Sequence, residues 1–355
     1  MERVKRIEKI KRILSIKSLD GILISRIENV RYLSGFTGDT AILLIGNDLR
    51  FLLTDGRYTL QAKEGVIGFK IIEIKKAVEG LADLLKSYHL KRIGFESDVI
   101  TYDLYQDLTK RINFVEWIPI KEEIQSLRAI KEDKEILLIK EAAKMADDAL
   151  KSIFHLIKPG AVEKDLSLAL EFEIKKRADD IAFDIIVASG ANSAMPHAVP
   201  SKKKIDKGDF IIIDFGAKYK GYHSDETVTF GIGFLEDNKK KIWQIVKDAQ
   251  AFAFEVIKPN IEAKKVDETA RNYIDSKGYG KYFSHGTGHG VGLAIHEYPY
   301  ITSLESGVLK ENMVFTVEPG IYIPNLGGVR IEDTIVVTND GFKVLTNYPK
   351  ELKII

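Results

Sequence analysis

The chain has 355 residues, of which 45% are hydrophobic and 30% charged, with 53 basic against 52 acidic side chains and a net charge of +1. That length suits two domains, each large enough to bury a sizeable core, and the balanced charge gives no electrostatic reason to expect nucleic acid or an acidic membrane surface as a partner. With no cysteine at all, disulfides, thiolate catalysis and Cys-type zinc sites are excluded together, and a reducing cytoplasmic location is allowed.

The opening MERVKRIEKIKRILSIKSLDG is basic but lacks the apolar core and small-residue cleavage site of a targeting peptide. Val4, Ile7, Ile10 and Leu14 recur at helical spacing and predict a first amphipathic helix. Strand patterns follow at 21–25, 41–46, 50–54, 69–75 and 92–97, with helices near 78–88 and 101–111 and a last strand in NFVEWIPI. This alternation predicts an α/β domain over residues 1–122 with a parallel or mixed sheet. The highly charged run KEEIQSLRAIKEDKE marks the boundary and predicts a solvated linker helix over 123–135. No run approaches the roughly 18 apolar residues of a membrane span.

Residues 136–355 open with long helical patterns, about 132–157 and 163–178, then a strand run at 183–190. Phe210 to Ala217 (FIIIDFGA) and Tyr222 to Phe230 (YHSDETVTF) are two strands joined by Lys218-Tyr219-Lys220-Gly221. Reflection about the middle of that turn sets Asp214 opposite Asp225. Helices near 238–257 and 264–277 come next, then a second ribbon of Phe315 to Ile323 (FTVEPGIYI) and Val329 to Val336 (VRIEDTIV). Reflection about Asn325 sets Glu318 opposite Glu332. A bulge at Gly216 or Pro319 would move either register by one. Directly opposed carboxylates repel, and each of these sits in a hydrophobic β-branched run rather than on a polar edge, so the two pairs call for a cation. Two helices followed by an acidic ribbon occur twice, an internal pseudo-duplication below the level of a detectable sequence repeat.

Between the ribbons, His285-Gly-Thr-Gly-His289-Gly-Val-Gly-Leu-Ala-Ile-His296-Glu297 holds three of the seven histidines. Its glycines allow close backbone approach and leave imidazoles as the polar groups able to reach inward. Four hard oxygens and one nitrogen suit manganese, cobalt or iron at higher coordination better than a closed tetrahedral zinc site.

The segment from His285 to Glu297 resembles the signature of the proline-specific metallopeptidases, the Xaa-Pro dipeptidase (prolidase) and aminopeptidase P family. FDIIVASGANSAMPHA, DFGAKYKGYHSDET, TVEPGIYI and GGVRIEDT are similar to the same family's patterns, and NVRYLSGFTG and LTDGRY resemble its N-terminal creatinase-like domain. The resemblance implies a creatinase-like α/β domain followed by a pseudo-symmetric pita-bread catalytic domain with a curved antiparallel sheet. It also implies two divalent metals, manganese or cobalt before zinc or iron, held by Asp214, Asp225, His289, Glu318 and Glu332, with Asp225 and Glu332 bridging. Glu318 is then the candidate general base for a water activated between the metals. His197, His285 and His296 are expected to line the pocket, His296 and His197 to stabilise charge on the carbonyl or leaving nitrogen, and Phe183 with His285 to receive the proline ring. Arg330, two residues before Glu332 on one strand face, is expected to orient that ligand and balance the charge. Tyr322 either donates a hydrogen bond at the site or is a packed strand aromatic.

The implied substrates are Xaa-Pro dipeptides or short peptides, cleaved by a homodimer in the cytoplasm. Two positions depart from common family patterns. Tyr300 stands where many prolidases carry an arginine that grips the dipeptide carboxylate, which leaves room for aminopeptidase P-like cleavage of longer peptides, and Val228 stands where an arginine is frequent. A metal-free creatinase-like amidinohydrolase and a non-catalytic pita-bread binding module are the competing classes. Both are expected to lack several of the five ligands that stand here.

Overall fold

Short apolar runs and amphipathic helices alternate along the first 128 residues of the computed structural model, which describes residues 2–355. In chain order this unit holds α1 (Glu2–Lys17), β1 (Gly21–Ile24), α2 (Ile27–Ser34), β2 (Ile42–Gly46), β3 (Arg50–Thr54), α3 (Thr59–Gly65), β4 (Lys70–Glu73), α4 (Ala77–Ser87), β5 (Arg92–Glu96), α5 (Tyr102–Arg111), β6 (Glu116–Ile120) and α6 (Glu122–Ala129). The strands form one mixed sheet in the order β4-β3-β2-β1-β5-β6, antiparallel through β1–β2–β3 and parallel elsewhere. In α1, Ile7, Ile10 and Leu14 are buried as their spacing predicts, whereas Val4 stays exposed.

The charged run between the units is not one solvated helix. It breaks after α6, where Ile130 forms an isolated bridge with Met313 and Lys131 N donates to Asn312 O at 2.9 Å. The next helix then starts on a capping box in which Glu132 and Glu135 satisfy each other's backbone N–H. Ile124, Leu127, Arg128, Lys131 and Glu135 are all buried. Lys131 is sealed inside because its ammonium meets Glu297 at 2.9 Å.

The second unit, Ala129–Ile355, contains two similar halves. The first has α7 (Asp133–Ile153), α8 (Glu163–Lys175), β7 (Asp180–Ile181), β8 (Ile186–Ser189), β9 (Phe210–Phe215), β10 (Ala217–Tyr219), β11 (Tyr222–His223) and β12 (Glu226–Gly231). The second has α9 (Asp237–Glu255), α10 (Ala263–Ser276), β13 (Gly288–Gly290), β14 (Glu297–Ile301), β15 (Val314–Val317), β16 (Gly320–Ile323), β17 (Gly327–Arg330), β18 (Asp333–Val337) and β19 (Phe342–Val344). Antiparallel sheets β12-β9-β8 and β14-β13-β15-β18-β19 are the backbone of the two halves. Leu150, Leu170, Ile211, Ile213 and Val228 pack in one core, and Val246, Val266, Phe315, Val317 and Ile335 in the other. At roughly 1.5–3 kcal/mol for each fully buried aliphatic side chain, these cores hold the strands that carry the acidic residues.

The duplication is visible in the sequence after all, in a four-residue echo. Ile157-Lys158-Pro159-Gly160 and Ile257-Lys258-Pro259-Asn260 each close the first helical segment of a half, with Gly160 and Asn260 at φ +86° and +68°. Gly160 N donates to Ile205 O and Asn260 N to Leu309 O, and each turn leads into one isolated bridge, Val162 with Lys204 and Glu262 with Val308. Asparagine and glycine are the residues that tolerate the left-handed conformation both turns need, so the two turns match in shape though not in identity.

Candidate metal centre

The first acidic hairpin is closed by two residues, not four. Lys220 and Gly221 have φ +48° and +85°, the paired left-handed values of a type I′ turn, and Tyr219 faces Tyr222 across it. The turn therefore lies one residue later than expected, every pair moves by two, and Asp214 stands opposite Thr227 instead of Asp225. A shift of two keeps side chains on the same face, and both aspartates still line one cavity. The second hairpin has the expected register. Val317 pairs with Asp333 and Gly320 with Arg330, so Glu318 and Glu332 stand across from each other in the gap between two ladder segments. Pro319 lies in that gap, where a residue with no N–H interrupts no ladder bond.

His289 comes from the middle of β13, and its backbone N–H donates to Thr316 Oγ1 at 3.0 Å. Beside it, a Cβ on Gly288 would lie 1.9 Å from the carbonyl oxygen of Thr316, which is backbone and cannot swing aside. Gly288→Ala is expected to push β13 off β15, destabilising the chain by about 1–3 kcal/mol and lowering its urea midpoint; an unchanged midpoint would show that the close approach is dispensable.

A cavity of about 580 Å³ is lined by Asp214, Asp225, His289, Glu318 and Glu332 together. His289 Nε2 is 3.4 Å from Asp225 Oδ2 and 3.4 Å from Glu318 Oε1. Ligand atoms of Asp225, His289 and Glu332 all lie within 4.8 Å of one another. His197, His285, His296, Phe183 and Arg330 also line this cavity, with Phe183, Ile185 and Val199 giving it an apolar wall. Tyr322 is not on the wall. It is buried behind it, where its hydroxyl meets His285 Nε2 and Arg330 Nη1, each at 2.8 Å.

Four carboxylates share this site with one guanidinium. Unit charges about 4 Å apart at an effective dielectric of about 20 repel by roughly 4 kcal/mol, so the cluster is unstable as anions alone. Burial, then the charges of Glu332, Asp214 and Glu318, hold Asp225 well above the usual carboxylate range, and burial together with Glu318 and Asp214 does the same to Glu332. Glu318 is raised as well, chiefly by burial. Burial lowers the pKa of His289, which favours the neutral imidazole that a metal requires. Asp214 Oδ1 is buried with no hydrogen-bond partner. An unsatisfied buried oxygen among four carboxylates and a neutral imidazole is a donor set that fits divalent cations.

The chain of donors around Arg330 differs from the expected one. Arg330 Nη2 bonds Asp214 Oδ2 at 2.7 Å and does not bond Glu332 directly. It reaches Glu332 through a relay in which Arg330 Nε donates to Thr227 Oγ1 at 3.1 Å and that hydroxyl donates to Glu332 Oε2 at 2.6 Å. Thr316 Oγ1 serves the other half in the same way, donating to Glu318 Oε1 at 2.9 Å while accepting from His289 N. Sequence reasoning missed both threonines. Each is two residues from a ligand on a strand, hence on its face, and that spacing was the available signal.

Tyr322 is pushed up to about 12, mainly by burial, and keeps its proton. It accepts from Arg330 and donates to His285 Nε2, so His285, lowered by burial, carries its own proton on Nδ1 and gives it to Gly286 O at 2.8 Å.

Residues 138–339 match the model of metallopeptidase family M24, and residues 6–130 that of the creatinase/prolidase N-terminal domain. The chain is 40% identical over 355 residues to the Xaa-Pro dipeptidase of Pyrococcus horikoshii, covering 97% of this chain and 98% of the relative. Its structure resembles the Xaa-Pro dipeptidase from Bacillus anthracis with a TM-score of 0.96 at 42% identity, over 99% of this chain and 100% of that one. The X-Pro aminopeptidase from Thermotoga maritima MSB8 follows with a TM-score of 0.89 at 36% identity, again over 99% and 100% of the two chains. The fold is the expected one, a creatinase-like α/β domain ahead of a pita-bread domain.

Proposed function

The chain belongs to metallopeptidase family M24 and is a peptidase; from that premise we propose that it hydrolyses the Xaa-Pro bond at the N-terminus of dipeptides and short peptides. Two divalent cations, manganese or cobalt before zinc or iron, would be held by Asp214, Asp225, His289, Glu318 and Glu332. The observation that carries this reading is the meeting of all five in one cavity with Asp214 Oδ1 left unpaired.

When bound, such a metal pair supplies an activated water at neutral pH and polarises the scissile carbonyl. The protein's own groups do the rest. Glu318 has Oε1 fixed by Thr316, so Oε2 is the atom that takes a proton from the attacking water and returns it to the leaving proline nitrogen. An Xaa-Pro bond offers no N–H, and the apolar wall of Phe183, Ile185 and Val199 asks for none. His285, held by Tyr322 and Gly286, faces the proline side, while His296 and His197 at the open side of the cavity face the carbonyl and peptide.

A second reading, cleavage of longer Xaa-Pro peptides, is favoured by Tyr300. It is 40% exposed at the cavity, and Arg330, already bonded to Asp214, is the only lysine or arginine among the described residues lining it. A dipeptide carboxylate thus finds no spare guanidinium or ammonium on this wall. We also propose a homodimer in the cytoplasm as the working form.

The test is a side-by-side assay of an Xaa-Pro dipeptide, an Xaa-Pro-Yaa tripeptide and an Xaa-Ala control in added Mn²⁺ or Co²⁺, then in chelator. Cleavage of both proline substrates, at least tenfold faster for the tripeptide and lost in chelator, is expected by analogy with the cost of one missing charged contact. Hydrolysis indifferent to chelator, or equal rates on Xaa-Ala, would sink the proposal.

A further inference from the structure

Two of the site carboxylates have acidic neighbours that face the other way. Glu226 follows Asp225 and Asp333 follows Glu332. Successive residues of an extended chain point to opposite faces, so Asp225 and Glu332 line the cavity while Glu226 and Asp333 are buried behind it, 1% and 6% exposed. One cation meets both. Lys350 Nζ bonds Glu226 Oε1 and lies 3.6 Å from Asp333 Oδ1, with its side chain only 7% exposed.

The segment after β19 is built to bring that ammonium there. Leu345 N donates to Thr334 O at 2.8 Å and Thr346 Oγ1 to Asp333 Oδ1 at 2.8 Å, which ties the segment to β18. Further on, Gly231 N donates to Lys353 O at 3.0 Å and Ile354 bridges to Gly231, which ties it to β12. β12 belongs to the first half and β18 to the second. Where they meet, threonine hydroxyls bond across: Thr334 Oγ1 donates to Asp225 O at 2.7 Å and Thr227 Oγ1 to Glu332.

We propose that Lys350 is a positioning residue for the metal centre, setting the spacing of Asp225 and Glu332 from behind by joining Glu226 to Asp333. The inference rests on the proposed metal centre. A ligand pair must be held within about half an ångström of its working geometry by the groups behind it, and these two ligands come from strands of different halves. Gln250 Nε2 and Thr346 Oγ1 donate to Asp333 at 3.0 and 2.8 Å, and buried Asp147 adds a third acid beside Glu226. Without Lys350 these acids would stay crowded together with no ammonium bonded to them, and their repulsion would strain the two strand ends.

The test uses the full chain stripped of metal and then titrated with Co²⁺, following visible absorption and binding heat alongside thermal unfolding. Lys350→Arg, which keeps the charge, is expected to bind cobalt nearly as the parent does. Lys350→Met is expected to bind it about 10–100-fold more weakly, with an altered visible spectrum and a fall in kcat larger than any rise in KM. If Lys350→Met does not fold, the Glu226→Gln/Lys350→Met pair removes the repulsion as well as the link, and is expected to fold and still bind cobalt more weakly than the parent because nothing then joins position 226 to Asp333. A folded variant that melts earlier but keeps the parent's cobalt affinity and spectrum overturns the inference, leaving Lys350 a purely stabilising residue. A parent chain that takes up no cobalt fails differently, since that refutes the metal centre itself.

Discussion

Replacing Asp225 by asparagine is expected to cut turnover by about a thousandfold or more, since on the proposed ligand set it removes a charged ligand and forfeits roughly 4 kcal/mol of transition-state stabilisation. The fold should survive. Asparagine has nearly the shape of aspartate, and Asp225 carries the most crowded charge of the site, with burial and three neighbouring carboxylates all opposing its ionisation. The sign of the stability effect follows from linkage. A carboxyl whose folded pKa lies above its unfolded value contributes stability that is complete below the unfolded pKa and is lost as pH rises through the folded one. In chelator, the parent chain should thus lose stability as pH climbs above the ordinary carboxylate range. Asp225→Asn should lose less and be the more stable of the two at pH 8. Thermal melts from pH 5 to pH 8 with and without added Mn²⁺, beside a hydrolysis assay, check both halves of the argument. Full activity in the variant would remove Asp225 from the ligand set, and a metal-free variant less stable than the parent at pH 8 would refute the charge-crowding account.

Arg330 is the second position where a single change should be severe. Arg330 is 3% exposed, and its guanidinium bonds Asp214, Thr227, Tyr322 and the carbonyl of Pro196 at once. Arg330→Met leaves Asp214 without its partner and is expected to destabilise the chain by about 3–5 kcal/mol, the usual cost of breaking a buried pair from one side. Arg330→Lys keeps the charge but replaces a planar fork by a point. One ammonium cannot hold Asp214, Thr227 and Tyr322 in their present places, so Glu332 and His285 lose their tether together. Steady-state kinetics on Arg330→Lys should show kcat/KM down about 10–100-fold with metal saturating, and urea unfolding should separate this from the larger stability loss of the methionine variant. Arg330→Lys with the parent's kcat/KM would mean that the relay through Thr227 carries no function.

The five ligand candidates were legible because their chemistry is anomalous: acids inside β-branched runs, and imidazoles between glycines. Their partners were not, because a buried threonine beside a ligand looks like any other strand residue until the opposite strand is in view. The same limit explains the register of the first ribbon. Lys218-Tyr219-Lys220-Gly221 is compatible with a four-residue loop, and only the left-handed values of both Lys220 and Gly221 decide for the shorter one. The second ribbon was readable because Pro324 and the Gly327-Gly328 pair confine the turn to the residues around Asn325. At the linker, charge suggested solvent. What overrides it is pairing: Lys131 with Glu297, and Glu132 with Glu135, let a polar segment enter the interior.

The order in which the proposed ligands occur along the chain has its own meaning for a protein made from one end. Asp214 and Asp225 emerge from the ribosome with the first half, while His289, Glu318 and, last of all, Glu332 wait for the second. Neither half alone carries all five proposed donors, so a copy that stops before Glu332 lacks the complete set. On the proposed ligand set, metal-dependent hydrolysis has to wait until the last of the five donors has been made, so both halves must be complete before it can begin.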